Sequence, residues 1–216
     1  MRPPHRRLPP LGPPGSTWQH NPTLRAAVHT AAATLLHPVT TIQRIRIRGP
    51  RDTPLLAGNI ALAAVLIAAG LWLAILHAMW RSEGPQNLGA ILGAFAFAAI
   101  FGGYGAVILL HLLTAIEHRG IRFFGARRGW RITSDVATSI CAHASAGWLL
   151  SGVLVLLGVL LGLWAYALAP GAPRSLRGAF DTAVLTLPIA GFSAGLLVFE
   201  TLVFLGVRRC RYANPG

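Results

Sequence analysis

Four long apolar runs constrain this chain more than any other feature of its 216 residues. The runs are residues 56–79, 88–113, 146–169 and 180–207, and none of them contains Arg or Lys. A helix needs about 20 consecutive apolar residues to cross the hydrocarbon core of a bilayer. The sequence therefore predicts an all-α integral membrane protein, a four-helix bundle that crosses the membrane at these four runs.

The arginines predict how such a bundle is oriented. All 19 basic residues are Arg, and sixteen of them lie before the first run, between the second and third, or after the fourth. Basic residues gather on the cytoplasmic side of membrane spans. We therefore expect both termini to be cytoplasmic, together with a basic loop at 114–145 and a tail at 208–216, in the inner membrane of a bacterium.

The net charge of +13 does not by itself predict a nucleic-acid partner. Arginines that flank spans contact the anionic headgroups of lipids, and the chain has no recognisable nucleic-acid-binding module. We expect a bilayer with anionic headgroups as the partner, and no nucleic acid. The residues expected to contact headgroups are Arg25, Arg44, Arg46, Arg122, Arg127, Arg128 and Trp130.

The segment before the first run divides into two parts. Residues 1–22 are rich in Pro and Arg and bury too little apolar surface to fold, so we predict a disordered tail. Residues 23–54 are predicted to form an amphipathic interfacial helix and a linker, and Pro38 is expected to kink or split this helix near His37. Packing of this helix on a partner protein is the alternative. Its apolar stripe consists of Leu24, Val28, Ala31, Leu35, Val39 and Ile42.

Residues 133–145 have no single predicted structure. This segment contains Asp135, His143 and several hydroxyl side chains, so it is too polar and too short for a clean crossing. It could be interfacial, re-entrant or part of a fifth span. A fifth span would place the arginines of the tail on the outer side, against the charge rule.

Three pairs of glycines, each four residues apart, lie in the apolar runs. This spacing lets two helix backbones approach closely, within one bundle or between copies, so we expect a homo- or hetero-oligomer. Residues 191–195 also match the G-x-S-x-G pattern of serine hydrolases, but that motif needs a strand-to-helix turn. We therefore predict no catalytic residue. The glycines expected at helix contacts are Gly89, Gly93, Gly158, Gly162, Gly191 and Gly195.

Glu200 is the polar residue that most suggests a function inside the membrane. It precedes Arg208 by eight residues, which places it about 12 Å deep at a helical rise of 1.5 Å per residue. A carboxylate at that depth is costly, and it is a candidate for proton or ion coupling. No second acid is expected at the same depth, which favours an interhelical hydrogen bond instead.

The eight histidines do not predict a metal site. His111 and His118 could share a helix face, but zinc needs three or four ligands and the only other plausible one is His143. The chain has no P-loop, dinucleotide-binding or metalloprotease motif. We therefore expect no metal and no cofactor.

Two short motifs resemble those of bacterial members of the Yip1-domain family. Residues 37–42 (HPVTTI) match an HP motif before the first span, and residues 118–120 (HRG) match a mid-chain loop. The resemblance covers residues 35–207 and implies a small helical membrane module, usually with five spans. Eukaryotic relatives are associated with vesicle traffic and small GTPases, whereas bacterial relatives mostly lack an assigned activity. The resemblance implies no role for any single residue.

These features favour a non-enzymatic membrane protein that organises lipid or serves as a subunit of a membrane complex. The prediction depends on the glycine packing faces and on the absence of a catalytic motif. The alternative is a small transporter or channel that uses Glu200 as its coupling carboxylate.

Overall fold

A computed structural model describes residues 15–83, 87–168 and 173–210, and within them the chain is helical with no strand. The main helices are α1 (Thr17–His20), α2 (Leu24–Leu36), α3 (Pro38–Arg44), α4 (Thr53–Glu83), α5 (Leu88–Phe97), α6 (Gly105–Arg127), α7 (Ser134–Ala144), α8 (Ala146–Ala167) and α9 (Arg174–Cys210). A 3₁₀ turn (Gly49–Asp52) precedes α4, and a π-helical segment (Ala98–Tyr104) joins α5 to α6.

Four helical segments in the described part of the chain are long and apolar enough to cross a membrane, and they confirm the predicted all-α four-helix membrane bundle. They are Gly49–Ser82, Leu88–Arg127, Ser134–Ala167 and Asp181–Cys210. Each is apolar around most of its circumference, as expected for a helix surrounded by lipid and other spans. Helix α8 packs along both α9 and α4, and α4 also packs against the π-helical segment and α6.

Glycine makes the contact between α8 and α9 close. A Cβ atom on Gly158 would lie 2.9 Å from the backbone of Leu187, and one on Gly162 would lie 3.0 Å from the Cα of Val184. From the other side, Gly191 faces Leu154 in the same way. Because no larger side chain fits at these positions, the two backbones pack directly against each other.

The first glycine pair does not contribute to the bundle. A Cβ atom on Gly93 would meet nothing within 4 Å, and one on Gly89 would meet only the side chain of Asn87 at 3.4 Å. Within the described chain these two glycines therefore do not pack against another helix, and a contact between copies stays a prediction. Gly102, in the π-helical segment, makes the close approach to α4 instead, 3.3 Å from the Cα of Ala68.

The basic loop predicted at 114–145 is mostly helical. Helix α6 continues to Arg127, and α7 begins at Ser134, where the side chain of Thr133 accepts a hydrogen bond from the backbone of Val136. Helices α7 and α8 meet at Ser145, whose hydroxyl donates to the carbonyl of Ala142 at 2.6 Å. The prediction missed the extension of α6 because its polar residues resemble a loop. Residues 133–145, whose structure was left open, form α7 and the start of the third span, Ser134–Ala167.

The N-terminal region also differs from its prediction. Residues 1–14 lie outside the described residues, but residues 15–22, which were predicted to be disordered, include α1. Ser16 caps this helix, and Gln19 is buried against the bundle. The predicted interfacial helix is split at the expected position: α2 and α3 are separate helices because Pro38 starts a new helix after His37.

Trp148 is part of the core at the centre of the bundle. It is fully buried, its indole Nε1 donates to the hydroxyl of Thr114 at 3.0 Å, and its ring stacks on Phe199 with the centroids 4.3 Å apart. This one side chain therefore connects α6, α8 and α9. It fixes the positions of the helices that line the cavities described below.

Candidate functional site

The helices that carry most of the arginines end at one face of the bundle, which we call the arginine-rich end. Helix α7 contacts the turn before α4 and also packs against α6 and α9, and α3 packs against α9. A cavity lined by Val39, Ile42, Leu205 and Arg208 marks the contact between α3 and the end of α9. At the opposite end, Arg81 pairs with Asp181 and links α4 to α9.

Helix α6 separates two cavities near the arginine-rich end. Residues Glu117, Ile121, Phe124 and Arg128 line one cavity. Residues His111, Ala115, His118 and Arg122 line the other. Each set follows the spacing i, i+4, i+7 and i+11, so each forms a single stripe along the helix. At 3.6 residues per turn the two stripes lie about 120° apart.

The first cavity, between α6 and α9, has a volume of about 650 Å³ and contains two carboxylates. Glu117 comes from α6 and Glu200 from α9, and they are near enough for their charges to interact. Neither makes a hydrogen bond or an ion pair with any residue of the described ranges. The walls are mostly apolar, and the lining residues Arg128 and Arg208 lie near the ends of α6 and α9. The other lining residues are Gly120, Ile121, Phe124, Arg128, Trp130, Val203, Phe204, Val207 and Arg208.

This arrangement corrects the expectation for Glu200. A second acid, Glu117, does lie beside it, and no hydrogen bond to another span holds the carboxylate of Glu200 within the described residues. The prediction failed because the second run was taken to end at residue 113, whereas α6 continues to Arg127. Glu117 therefore lies within a helix rather than in a loop.

The second cavity, between α4, α6 and α7, has a volume of about 410 Å³, and its charged lining residues are all basic. Arg119 and Arg122 are exposed at its edge. Nδ1 of His111 lies 2.9 Å from the carbonyl of Val107, and Nε2 of His118 lies 3.3 Å from the carbonyl of Ser134. A carbonyl only accepts hydrogen bonds, so Nδ1 of His111 is the donor in its contact. Nε2 of His118 also lies 3.5 Å from the hydroxyl of Ser134 and 3.4 Å from that of Thr138.

No group of three or more side chains of the types that bind metals occurs in the described part of the chain. His111 and His118 share the second cavity, but their neighbours there are arginines, which repel a cation. The G-x-S-x-G pattern at residues 191–195 lies inside α9, where the hydroxyl of Ser193 donates to the carbonyl of Ile189 at 2.9 Å. This segment has no strand-to-helix turn, which the hydrolase motif requires.

The residues predicted to contact headgroups lie at the surface of the arginine-rich end. The six arginines are exposed, whereas Trp130 is partly buried. Arg127 lies 4.5 Å from the ring centre of Phe123, and Arg128 lies 5.0 Å from that of Trp130. Arg122 is the only member of this set that lines the second cavity.

A buried polar cluster, which the sequence did not reveal, attaches the N-terminal helices to the bundle. Asp52 is 1% exposed and accepts hydrogen bonds from the side chains of Gln19 and Ser139. Gln19 also bonds the backbone of Arg46 through both its nitrogen and its oxygen. His143, also buried, lies 3.0 Å from the hydroxyl of Ser16. Each of these polar side chains forms hydrogen bonds with other groups of the cluster, and this is why they can be buried.

A short internal repeat could have revealed the first cavity. Residues 123–128 read FFGARR and residues 204–209 read FLGVRR, near the ends of the second and fourth spans. In both segments the glycine is buried, with Gly125 facing Ile132 and Gly206 facing Ile140. The repeat indicates that α6 and α9 end at the same level, which brings the two glutamates close together.

No family model, curated protein or solved structure matches this chain.

Proposed function

We propose that this integral membrane protein is non-enzymatic and organises anionic lipid around its arginine-rich end. One observation carries the proposal. Helices α2 and α3 expose apolar side chains beside exposed arginines, at the end of the bundle where α6 and α9 also end in arginines. A surface that is both apolar and basic fits the boundary between acyl chains and headgroups.

The packing of α2 on the bundle leaves Leu24, Val28 and Leu36 exposed, whereas Leu35 packs partly against the core. The face that contacts the bundle carries the small buried residues Ala26, Thr30 and Thr34, whereas Leu24 is 79% exposed and Val28 is 49% exposed. In water this exposure would be unfavourable by about 25 cal/mol for each Å². Insertion of these side chains between lipid acyl chains removes that cost.

The orientation that we propose follows from the same arginines. With the arginine-rich end in the cytoplasm, the positive-inside rule is satisfied at the ends of all four spans. The anionic lipids of the cytoplasmic leaflet then attract each nearby arginine by about 1 kcal/mol. A bacterial inner membrane, an oligomeric state and the relationship to Yip1-domain proteins remain predictions.

Lipid selectivity tests this proposal. The protein is reconstituted into phosphatidylcholine bilayers with spin-labelled phosphatidylglycerol or spin-labelled phosphatidylcholine, and electron paramagnetic resonance measures the motionally restricted fraction of each lipid. We expect phosphatidylglycerol to be enriched at the protein surface, less so at high salt because salt screens the arginines. Equal fractions for the two lipids would refute the proposal.

The first cavity supports a second candidate function, a small transporter or channel. Two carboxylates without hydrogen-bond partners line one mostly apolar cavity, with Arg128 and Arg208 toward the helix ends. Repulsion between the two like charges in such surroundings favours the binding of a proton or another cation. Glu200 and Glu117 would then act as a coupled pair. Several proton relays in membrane proteins depend on carboxylates in this kind of environment.

A flux measurement tests this candidate. Proteoliposomes with an enclosed pH-sensitive dye are exposed to a proton gradient, and the rate of dissipation is compared for the wild type, Glu117→Gln and Glu200→Gln. A transporter or channel predicts a protein-dependent flux that both variants reduce, whereas the control Asp181→Asn leaves it unchanged. A wild-type rate equal to that of empty liposomes would rule this candidate out for protons.

A further inference from the structure

The second cavity differs from the rest of the basic surface because it is a recess rather than a convex face. Its lining combines the guanidinium groups of Arg119 and Arg122 with two histidines, and it contains no acid. Apolar and hydroxyl groups complete it. The remaining lining residues are Leu56, Thr114, Ala115, Thr138 and Cys141.

The cavity opens toward the surroundings of the bundle. Ala115, Arg119 and Arg122 are exposed as well as lining it, so a ligand can enter from the side. Next to this stripe on α6, Leu112 is 54% exposed and Ile116 is 56% exposed. An anionic group in the cavity would therefore have an apolar surface beside it that an acyl chain can cover.

The two arginines supply the hydrogen-bond donors of the cavity. Nδ1 of His111 holds the ring proton in its contact with the carbonyl of Val107, so Nε2 of the neutral ring is an acceptor. The hydroxyl of Thr138 donates to the carbonyl of Ser134 at 2.9 Å and is also left as an acceptor. A phosphate provides several acceptor oxygens, and it is the group that arginine pairs bind best.

From these features we propose that the cavity between α4, α6 and α7 is a specific site for the phosphate headgroup of one anionic phospholipid. Arg119 and Arg122 bind the phosphate, and the acyl chains lie against Leu112 and Ile116. This proposal rests on the proposed function, since it assigns lipid recognition to one site. It differs from general electrostatic attraction because a site binds one lipid and retains it when salt screens the exposed charges.

Native mass spectrometry of the detergent-solubilised protein tests the proposal, with phosphatidylglycerol as the added lipid and phosphatidylcholine as the neutral comparison. We expect the wild type to retain a single phosphatidylglycerol. The double variant R119Q/R122Q should bind it at least about tenfold more weakly, because charge-assisted hydrogen bonds to phosphate are lost. The matched control R25Q/R127Q removes the same net charge from exposed positions outside the cavity, and it should retain the lipid.

A third variant distinguishes the effect of the cavity's shape from the effect of its arginine charges. Ala115→Trp fills the cavity and leaves every arginine in place, so we expect it to lose the bound lipid while the thermal stability stays near that of the wild type. Inorganic phosphate added at millimolar concentration should not displace the lipid, since it lacks the acyl chains. Displacement by phosphate would show that a free anion is the ligand and would overturn the proposal.

The outcomes also separate this site from the proposed function. If both double variants lose phosphatidylglycerol equally, or if neither loses it, the attraction is diffuse and the specific site is refuted, although lipid organisation stands. If the wild type shows no preference for phosphatidylglycerol over phosphatidylcholine, lipid organisation itself fails. Retention of the lipid by Ala115→Trp would refute the site independently of any charge effect.

Discussion

The replacement Ser139→Ala should detach the N-terminal helices from the bundle. The hydroxyl of Ser139 donates to Asp52 at 2.8 Å, and it accepts hydrogen bonds from the backbone nitrogens of Arg48 and Gly49, both at 3.1 Å. Ser139 is fully buried, so water cannot readily replace it. Alanine removes these three hydrogen bonds at once, so that Asp52, Arg48 and Gly49 each lose one hydrogen-bond partner.

The magnitude follows from the cost of unsatisfied groups. A buried donor or acceptor without a partner costs about 1–3 kcal/mol, and more when it is charged, as the Asp52 carboxylate is. Gln19 still donates to this carboxylate, which limits the loss. We therefore expect Ser139→Ala to lower the free energy of unfolding by about 3–5 kcal/mol.

Titration of the purified protein in mild detergent with sodium dodecyl sulfate, followed by circular dichroism, measures this loss. Hydrogen exchange over residues 15–48 should also become faster, because these residues depend on the cluster. Ser193→Ala is the matched control, since its hydroxyl bonds only one carbonyl and lies on an exposed face of α9. A change for Ser139→Ala as small as that for Ser193→Ala would refute the reasoning.

Two further predictions concern the packing of the spans. Gly158→Leu should destabilise the bundle by about 1–3 kcal/mol because its side chain would overlap the backbone of α9, whereas Gly93→Leu should change stability by less than about 0.5 kcal/mol. Equal effects in the same titration would contradict this. In a double-mutant cycle, Trp148→Phe and Thr114→Val should couple by about 1 kcal/mol, the value of one hydrogen bond. Additive effects would contradict that contact.

The four spans could be predicted from sequence because a bilayer places its requirements on each segment separately. Each span must satisfy its backbone within one helix and present apolar side chains, so a continuous run of about 20 residues identifies it. Glycine spacing predicted a close helix contact at Gly158, without naming α9 as the partner. It could not show that Gly93 is exposed, because the spacing indicates only that another helix can approach, and not whether or which one does.

The polar part of the fold could not be predicted in this way. Each of three buried polar residues, Asp52, Ser139 and His143, would be expected at the surface from its residue type alone. They can be buried because residues distant in sequence form hydrogen bonds with them. The partner of His143 is Ser16, which lies in a segment whose composition suggested disorder. Contacts of this kind depend on the tertiary fold, and no local pattern encodes them.

The pairing of Glu117 with Glu200 was partly accessible. Predicting that these two residues are close requires knowing that α6 continues to Arg127. The polar residues after residue 113 made the helix seem to end earlier. The repeated segments at 123–128 and 204–209 carry the missing information, because they align the ends of two spans that run in the same direction.

Topology mapping tests the central claim, a four-span bundle whose arginine-rich end is cytoplasmic. Fusions of a reporter that is active only in the cytoplasm, and of one that is active only outside it, are made at the N-terminus, at Asn87 and after Cys210. This topology predicts cytoplasmic activity at both ends and outside activity at Asn87. Opposite locations for the two ends would require an odd number of spans and would contradict a four-span bundle.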